Sequence, residues 1–201
     1  LVEVGCNAGA LAAAFKALHP GCHYEGMELD PGAAQAARKH CDTVTVLDIE
    51  SVPPEFFGRY ADTDCWIFGD VLEHLRDPWK LLQRIRTVIP AHGSIVACIP
   101  NAQHWSVQAR LNMGDFRYQD GGLLDRTHLR WFTRATMFEL FSQAGFTVVA
   151  GHPRIFEEPM REAVLPAIRL MAQSTGADPD MAVQDAMAMQ YVIRAVPTAS
   201  S

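Results

Sequence analysis

The sequence has no long hydrophobic run and no cysteine pair with metal-binding spacing. These absences argue against a protein that crosses a membrane by a helix and against one that binds zinc through cysteines. Its longest apolar runs are strand-sized, so we expect no transmembrane helix and no membrane partner. Its five cysteines include no C-x-x-C pair, which favours reduced thiols in a cytoplasmic protein over zinc ligands. The formal net charge is −6, so we expect no broad nucleic-acid surface.

The composition that remains is typical of a globular domain. Hydrophobic residues make up 49% of the 201 residues, which is enough for a full core. Short β-branched runs alternate with helical patterns, and this alternation predicts an α/β fold with a parallel sheet and helices on both faces. Asp30 and Thr133 are predicted to cap the helices that follow them, and a sixth strand is predicted over Phe146–Ala150.

The first predicted strand leads into a glycine turn of the kind that binds nucleotides. Gly5 and Gly9 bracket this turn, and a helix is predicted from Leu11 to Leu18. Backbone N–H groups at the start of such a helix face the ligand, and glycine lets the ligand approach closely. A strand–turn–helix unit that binds no ligand has the same pattern. The residues at the other strand ends are therefore needed to decide whether this turn binds a nucleotide.

Polar side chains stand at the ends of the following strands. Glu28 ends the second strand about twenty residues beyond the turn, where a carboxylate can accept hydrogen bonds from a ribose diol. Asp48 and Ile49 end the third strand and suit an adenine, while Gly69 and Asn101 come at the ends of the next two. Because ligands bind beyond the carboxyl ends of parallel strands, these residues predict one shared nucleoside site.

Taken together with later segments, these residues resemble the class I S-adenosylmethionine-dependent methyltransferases. The matching segments are the Glu3–Gly9 turn, Glu28, Asp48-Ile49, Val71–Leu75, Ile99–Asn101, Asp125–Thr133 and Ala144–Phe146. The Val71–Leu75 run is similar to the corresponding segment of the ubiquinone-pathway O-methyltransferase subgroup. The resemblance covers roughly residues 1–150 and the last strand. It implies a Rossmann-like, doubly wound sheet of about seven mostly parallel strands, with an antiparallel last strand and helices on both faces.

The resemblance also implies the cofactor, S-adenosylmethionine, with S-adenosylhomocysteine as the product. It assigns the methionine part of the cofactor to four residues of the first turn, Glu3, Gly5, Cys6 and Gly9. It assigns the ribose, the adenine and the cofactor's amino group to five residues at later strand ends, Glu28, Leu29, Asp48, Ile49 and Gly69. The chain departs from the family at Asn7, where a glycine is usual. Asparagine tolerates positive φ better than most residues, so we expect the turn to form.

We expect residues 1–201 to form a single methyltransferase domain. Residues 1–101 are its cofactor-binding half, residues 102–134 are a substrate lid, and residues 152–187 are a helical insertion before the last strand. Aromatic and arginine side chains of the lid suit a sugar, an aromatic ring or an anion, or pack on one another. The insertion is a candidate contact of a homo-oligomer.

Two histidines, His74 and His128, are predicted to be catalytic. Methyl transfer from a sulfonium is an in-line displacement, so the enzyme mainly aligns donor and acceptor. A hydroxyl acceptor also has to lose a proton, and an imidazole is suited to this near neutral pH. We therefore expect a small-molecule hydroxyl as the acceptor. A core or capping role is the alternative for either histidine.

The sequence does not decide whether a metal binds near these histidines. Asp70, Glu73 and His74 share one face if their segment is helical, and with His128 they would offer two carboxylates and two imidazoles. The pattern is similar to that of the metal-assisted small-RNA 2′-O-methyltransferases, which carry glutamate in place of Asp70. Metal-free relatives also carry the Glu-His pair, so we assign no metal ligand.

Two other functions fit parts of the sequence. An NAD(P)-dependent Rossmann oxidoreductase also ends its second strand in a carboxylate. Against it, Ala10 stands where a third glycine is expected, and no Tyr-x-x-x-Lys motif follows. A non-catalytic methyltransferase-fold module of a larger protein is the second alternative, and the complete set of cofactor positions counts against it.

Overall fold

The computed structural model describes residues 1–199, which form one seven-stranded sheet with helices around it. The strands are β1 (Val2–Val4), β2 (Glu25–Glu28), β3 (Thr43–Val46), β4 (Cys65–Gly69), β5 (Ser94–Pro100), β6 (Phe146–Arg154) and β7 (Gln190–Pro197). The α-helices are α1 (Ala10–Leu18), α2 (Pro31–Ala37), α3 (Pro78–Arg86), α4 (Trp105–Asn112), α5 (Arg134–Gln143), α6 (Arg161–Thr175) and α7 (Pro179–Met187). Short 3₁₀ helices cover Pro54–Tyr60 and Leu72–His74.

The strand order is β3-β2-β1-β4-β5-β7-β6. Strands β1 to β5 pair in parallel, and β7 is antiparallel to both of its neighbours, β5 and β6. The predicted sheet is thus confirmed. The order reverses between β1 and β4, because the chain first builds outward to β3 and then returns to the other side of β1. Ligands of open α/β sheets bind beyond the carboxyl ends of the strands at such a switch point.

Helices cover both faces of the sheet. In β4, Trp66 and Phe68 belong to a large apolar core that includes residues of α3 and α5. The intervening Ile67 packs instead with residues of α1 and α2. Because successive side chains of a strand point to opposite faces, these two cores lie on the two sides of the sheet.

Local sequence signals predict the helix starts better than the strand ends. The side chains of Asp30 and Thr133 accept hydrogen bonds from the first turns of α2 and α5, as predicted for N-caps. Strand β6 continues to Arg154, beyond the predicted end at Ala150. A register shift just before Ala150 lets β6 keep pairing with β7, and this pairing comes from a distant part of the chain.

Two helices connect β6 to β7, within the region predicted as a helical insertion. Leu165 and Ile168 of α6 pack against Ala186 of α7, and Trp105 of α4 packs against this small core. Among residues 1–199, no helix combines the length and the apolar character that crossing a bilayer requires.

Candidate active site

The turn after β1 is closed by backbone hydrogen bonds to β2. The N–H groups of Gly5 and Cys6 both donate to the carbonyl oxygen of Met27, at 2.8 and 3.1 Å. Gly5 has a φ of 70°, and a Cβ there would lie 2.6 Å from Cγ2 of Val71, so the turn requires glycine at this position. Asn7 also has a positive φ, 47°, as predicted for the residue that replaces a glycine.

Glu28 joins this turn to the end of β2. Its Oε2 accepts a hydrogen bond from the backbone N–H of Asn7 at 2.7 Å. Its Oε1 accepts from the N–H groups of Leu29 and Asp30, at 2.8 and 2.9 Å. These bonds fix the carboxylate at the carboxyl edge of the sheet. Oε2 keeps a further lone pair with which it can accept a hydrogen bond from a ligand.

Asp48 is held in the same way after β3. Its Oδ1 accepts from the N–H of Glu50 at 2.9 Å, and its Oδ2 accepts from the Ser51 hydroxyl at 2.6 Å. The Ser51 hydrogen bond is the main cause that holds the pKa of the Asp48 carboxyl below its usual value. Asp48 is therefore a fixed anion, and it lies next to the buried side chain of Ile49.

These strand ends enclose one cavity of about 420 Å³. The predicted site residues on its wall are Gly5, Glu28, Leu29, Asp48, Ile49 and His74. Leu29 and Leu129 add apolar surface, and their side chains are 68% and 45% exposed. The volume lies in the usual range for small-ligand sites, and the wall combines apolar surface with a few fixed polar groups, as such sites do.

Four predicted cofactor residues are not on this wall. Glu3 is buried and accepts a hydrogen bond from the Tyr24 hydroxyl at 2.9 Å, and burial raises the pKa of its carboxyl. Cys6 is buried too, and its burial raises the pKa of the thiol to about 12. Gly9 precedes α1, where a Cβ would meet the α2 backbone at 3.0 Å, so this glycine lets the two helices pack closely. Gly69 ends β4. The roles assigned to these residues stay predictions.

His74 and His128 lie side by side, with ring centroids 4.7 Å apart and the rings nearly perpendicular. His74 lies in the 3₁₀ helix after β4, and its Nδ1 is 3.2 Å from the carbonyl oxygen of Thr127. The carbonyl oxygen of Glu73 accepts a hydrogen bond from the N–H of Leu129 at 2.8 Å. These bonds hold the segment around His128 against the 3₁₀ helix.

Three buried side-chain atoms, Nδ1 of His128 and both carboxylate oxygens of Glu73, have no hydrogen-bond partner among residues 1–199. His128 is 7% exposed, and its Nδ1 has no partner in the described chain. Burial is the main cause that lowers the pKa of this imidazole. Glu73 is 1% exposed, and neither of its carboxylate oxygens has a partner among residues 1–199. Burial raises the pKa of Glu73 to about 8. Unpartnered buried groups are rare in native proteins, so this pair requires an explanation.

Asp70 takes a different position from the one that a helical segment would give it. Its φ is 56°, and the helical part of the segment is only the turn Leu72–His74. Asp70 lines the cavity, where its carboxylate accepts a hydrogen bond from the side-chain amide of Gln190. The helical segment on which the predicted common face of Asp70, Glu73 and His74 depends therefore does not include Asp70, which precedes the turn and has a positive φ.

Arg76 also lines the cavity, and no sequence motif pointed to it. Its guanidinium lies 3.4 Å from Oδ2 of Asp48 and 3.2 Å from Oε2 of Glu50. These ion pairs join the loop after β3 to the loop before α3. The one available signal is that Arg76 directly follows the Val71–Leu75 run, whereas its partners lie on another loop.

A family profile for the methyltransferase domain matches residues 1–150. Comparison with curated proteins finds no match. Among solved structures, a SAM-dependent methyltransferase from Archaeoglobus fulgidus has a TM-score of 0.62 at 16% identity, over 97% of this chain and 84% of that one. A SAM-dependent methyltransferase from Thermotoga maritima, described as a possible histamine N-methyltransferase, has a TM-score of 0.60 at 15% identity, over 97% and 80%.

A third similar structure is the O-methyltransferase NcsB1 from neocarzinostatin biosynthesis, solved with S-adenosylmethionine and 2-hydroxy-5-methyl naphthoic acid. The TM-score is 0.58 at 17% identity, and the match covers 98% of this chain and 48% of NcsB1. The chain thus spans about half the length of that enzyme. At these identities the likeness shows a common fold.

Proposed function

Since this chain belongs to the methyltransferase domain family, we propose that it transfers a methyl group from S-adenosylmethionine to a hydroxyl oxygen of a small molecule. The observation that carries the proposal is the single cavity at the switch point, where Glu28 meets Asp48 and Ile49 above the Gly5 turn. The family match decides against the NAD(P)-dependent oxidoreductase.

The cavity wall offers a partner for each part of the nucleoside. The fixed carboxylate of Glu28 would accept a hydrogen bond from a ribose hydroxyl through the remaining lone pair of Oε2. The Asp48 carboxylate would accept from the exocyclic amine of the adenine. The exposed side chains of Leu29 and Leu129 would cover the ring and lose their contact with water on binding.

The two histidines would act on the acceptor. In the reaction, the acceptor hydroxyl loses its proton, its oxygen forms a bond to the methyl carbon, and the carbon–sulfur bond breaks. The sulfur keeps that electron pair, so the sulfonium becomes the neutral thioether of S-adenosylhomocysteine. We propose that His74 and His128 assist removal of the proton. The likeness of the Val71–Leu75 run to the ubiquinone-pathway O-methyltransferases supports oxygen as the acceptor atom.

We further propose that the protein works in the cytoplasm. All five cysteines are unpaired, which is the usual state in a reducing compartment. Two expectations on partners stay predictions, namely that no nucleic acid binds and that the helical insertion of residues 152–187 makes a homo-oligomer contact.

Calorimetry with S-adenosylhomocysteine tests the cofactor assignment. We expect the wild-type chain to bind, and Glu28→Gln to bind about 10–100-fold more weakly, because a charged hydrogen bond to the ribose is lost. Glu139→Gln is the matched control, since Glu139 is exposed on α5 away from the cavity and should leave the affinity unchanged. Absence of binding by the wild-type chain would refute the proposal.

A further inference from the structure

Three metal-ligating side chains converge beside the cavity. One carboxylate oxygen of Glu73 and one imidazole nitrogen each of His74 and His128 lie within 4.8 Å of one another. Three ligands of one tetrahedral divalent cation are about 3.4 Å from one another, at bond lengths of about 2.1 Å. The three side chains would therefore rotate toward one another to coordinate one ion.

The burial of Glu73 is an independent indication of a ligand. Its side chain is 1% exposed, and both carboxylate oxygens lack a hydrogen-bond partner among residues 1–199. The Nδ1 atom of His128 lacks one as well. Burying such groups without partners costs free energy, and native proteins rarely do it. A cation between them would supply the missing partner for the carboxylate and for an imidazole lone pair.

The surroundings of His74 match those of a metal-ligating histidine. Its Nδ1 is 3.2 Å from the carbonyl oxygen of Thr127, so an Nδ1–H would donate there and leave the lone pair on Nε2. The Thr127 hydroxyl oxygen also lies 3.2 Å from this Nδ1, and because the hydroxyl donates its proton to Oδ1 of Asp125 at 2.6 Å, it too can only accept from an Nδ1–H. A backbone carbonyl that orients the second nitrogen is the usual outer partner of such a histidine.

We propose that Glu73, His74 and His128 bind one divalent ion of the first transition series, and that the acceptor oxygen of methyl transfer occupies an open position on it. Two imidazoles with one carboxylate suit such an ion better than Ca²⁺ or Mg²⁺, which prefer oxygen ligands. Three protein ligands leave further positions for the acceptor. Asp70 lines the cavity outside this set, with its carboxylate bonded to Gln190.

With the ion bound, the histidines would assist proton removal as its ligands and not as bases, because their lone pairs would be on the metal. A hydroxyl bound to a divalent cation releases its proton to water more readily, and the resulting oxygen attacks the methyl carbon. This second half of the inference rests on the proposed function. The binding of the ion does not, because it depends only on the three side chains.

Metal binding is tested with Mn²⁺ and Zn²⁺ alone, added to the chelator-treated full chain. Calorimetry, with electron paramagnetic resonance for Mn²⁺, is expected to show one ion per chain. Glu73→Gln and His128→Gln should weaken binding at least about tenfold, since each removes a ligand. The exposed His152→Gln and Glu139→Gln are the matched controls and should bind as the wild type does.

Retained S-adenosylhomocysteine affinity shows that a variant is folded. A folded Glu73→Gln variant that binds Mn²⁺ and Zn²⁺ as well as the wild type would overturn the site, as would a wild-type chain that binds neither. Failure of S-adenosylhomocysteine to bind would instead overturn the proposed function. Full methyl-transfer activity after chelation would contradict the proposal that the acceptor oxygen binds the ion, whatever the metal-binding data show.

Discussion

The glycine turn is determined at the level of single residues by the backbone angles and the space that each position has. Gly5 and Asn7 both have positive φ. Gly5 in addition faces Val71, whose branched side chain occupies the place where a Cβ would lie. Asparagine is therefore accepted at position 7, whereas position 5 requires glycine.

Replacing Gly5 with alanine is expected to abolish detectable S-adenosylhomocysteine binding. The new Cβ would lie 2.6 Å from Cγ2 of Val71, and the positive φ adds about 1–2 kcal/mol of strain. Gly58→Ala is the control, because no atom of residues 1–199 lies within 4 Å of its Cβ position and its φ is not positive. Calorimetry measures the affinity of both variants. Wild-type affinity in Gly5→Ala would contradict this expectation and show that the turn accommodates a Cβ at position 5.

Individual elements are held together by buried polar contacts, as the start of α4 shows. His104 is fully buried, with Nδ1 2.8 Å from the Ser106 hydroxyl and Nε2 3.1 Å from Oε2 of Glu158. Trp105 donates from Nε1 to the same Glu158 oxygen at 2.7 Å. This cluster attaches α4, in the predicted lid, to the segment that precedes α6.

The His104 cluster predicts loss of stability in mild acid. Burial lowers the pKa of His104 below its ordinary 6.5, and Arg161 adds to this, against the opposing effect of Glu158. Between pH 6.5 and the folded-state pKa, the unfolded chain binds a proton that the folded chain does not. The contribution of the buried, neutral His104 to the free energy of unfolding is therefore fully present above pH 6.5 and decreases as the pH falls toward the folded-state pKa.

Urea unfolding at about pH 7.5 and about pH 5.5 measures this effect. The wild-type chain should lose unfolding free energy between the two, by at most about 1.4 kcal/mol per pH unit from this one group. His104→Gln should lose less, and His152→Gln, on the exposed part of β6, should behave as the wild type does. An unchanged pH slope in His104→Gln would contradict the assignment.

The cavity belongs to the molecule as a whole, because its wall comes from several distant segments. It is lined by the ends of β1, β2 and β3, by the segment after β4, and by Leu129 of the predicted lid. A ligand that binds only the folded chain stabilises every element that contributes to this wall.

S-adenosylhomocysteine is therefore expected to raise the melting temperature of the chain. At a hundred times the dissociation constant the stabilisation is about 2.7 kcal/mol, or about 5–10 °C for a domain of this size. NAD at the same concentration should leave the melting temperature unchanged. Gly5→Ala serves as the control that should show no shift with either ligand. A shift with NAD alone would contradict the cofactor assignment.

The sequence by itself determined the sheet and the place of the cavity. Apolar alternation and capping residues are local signals, and they predict the strands and the helix starts. Parallel strands joined by helices put their carboxyl ends at one edge of the sheet. That rule predicted that Gly5, Glu28 and Asp48 line one site, without any knowledge of side-chain contacts.

Only the tertiary structure decided which side chains face that wall and which are buried behind it. Glu3 bonds to Tyr24 inside the core, and Gly9 serves helix packing. The Glu73 carboxylate, which has no hydrogen-bond partner among residues 1–199, lies beside two imidazoles. One of them, His128, is close because Thr127 contacts His74 from 53 positions away. Burial and pairing depend on contacts between distant segments, and no local pattern encodes such contacts.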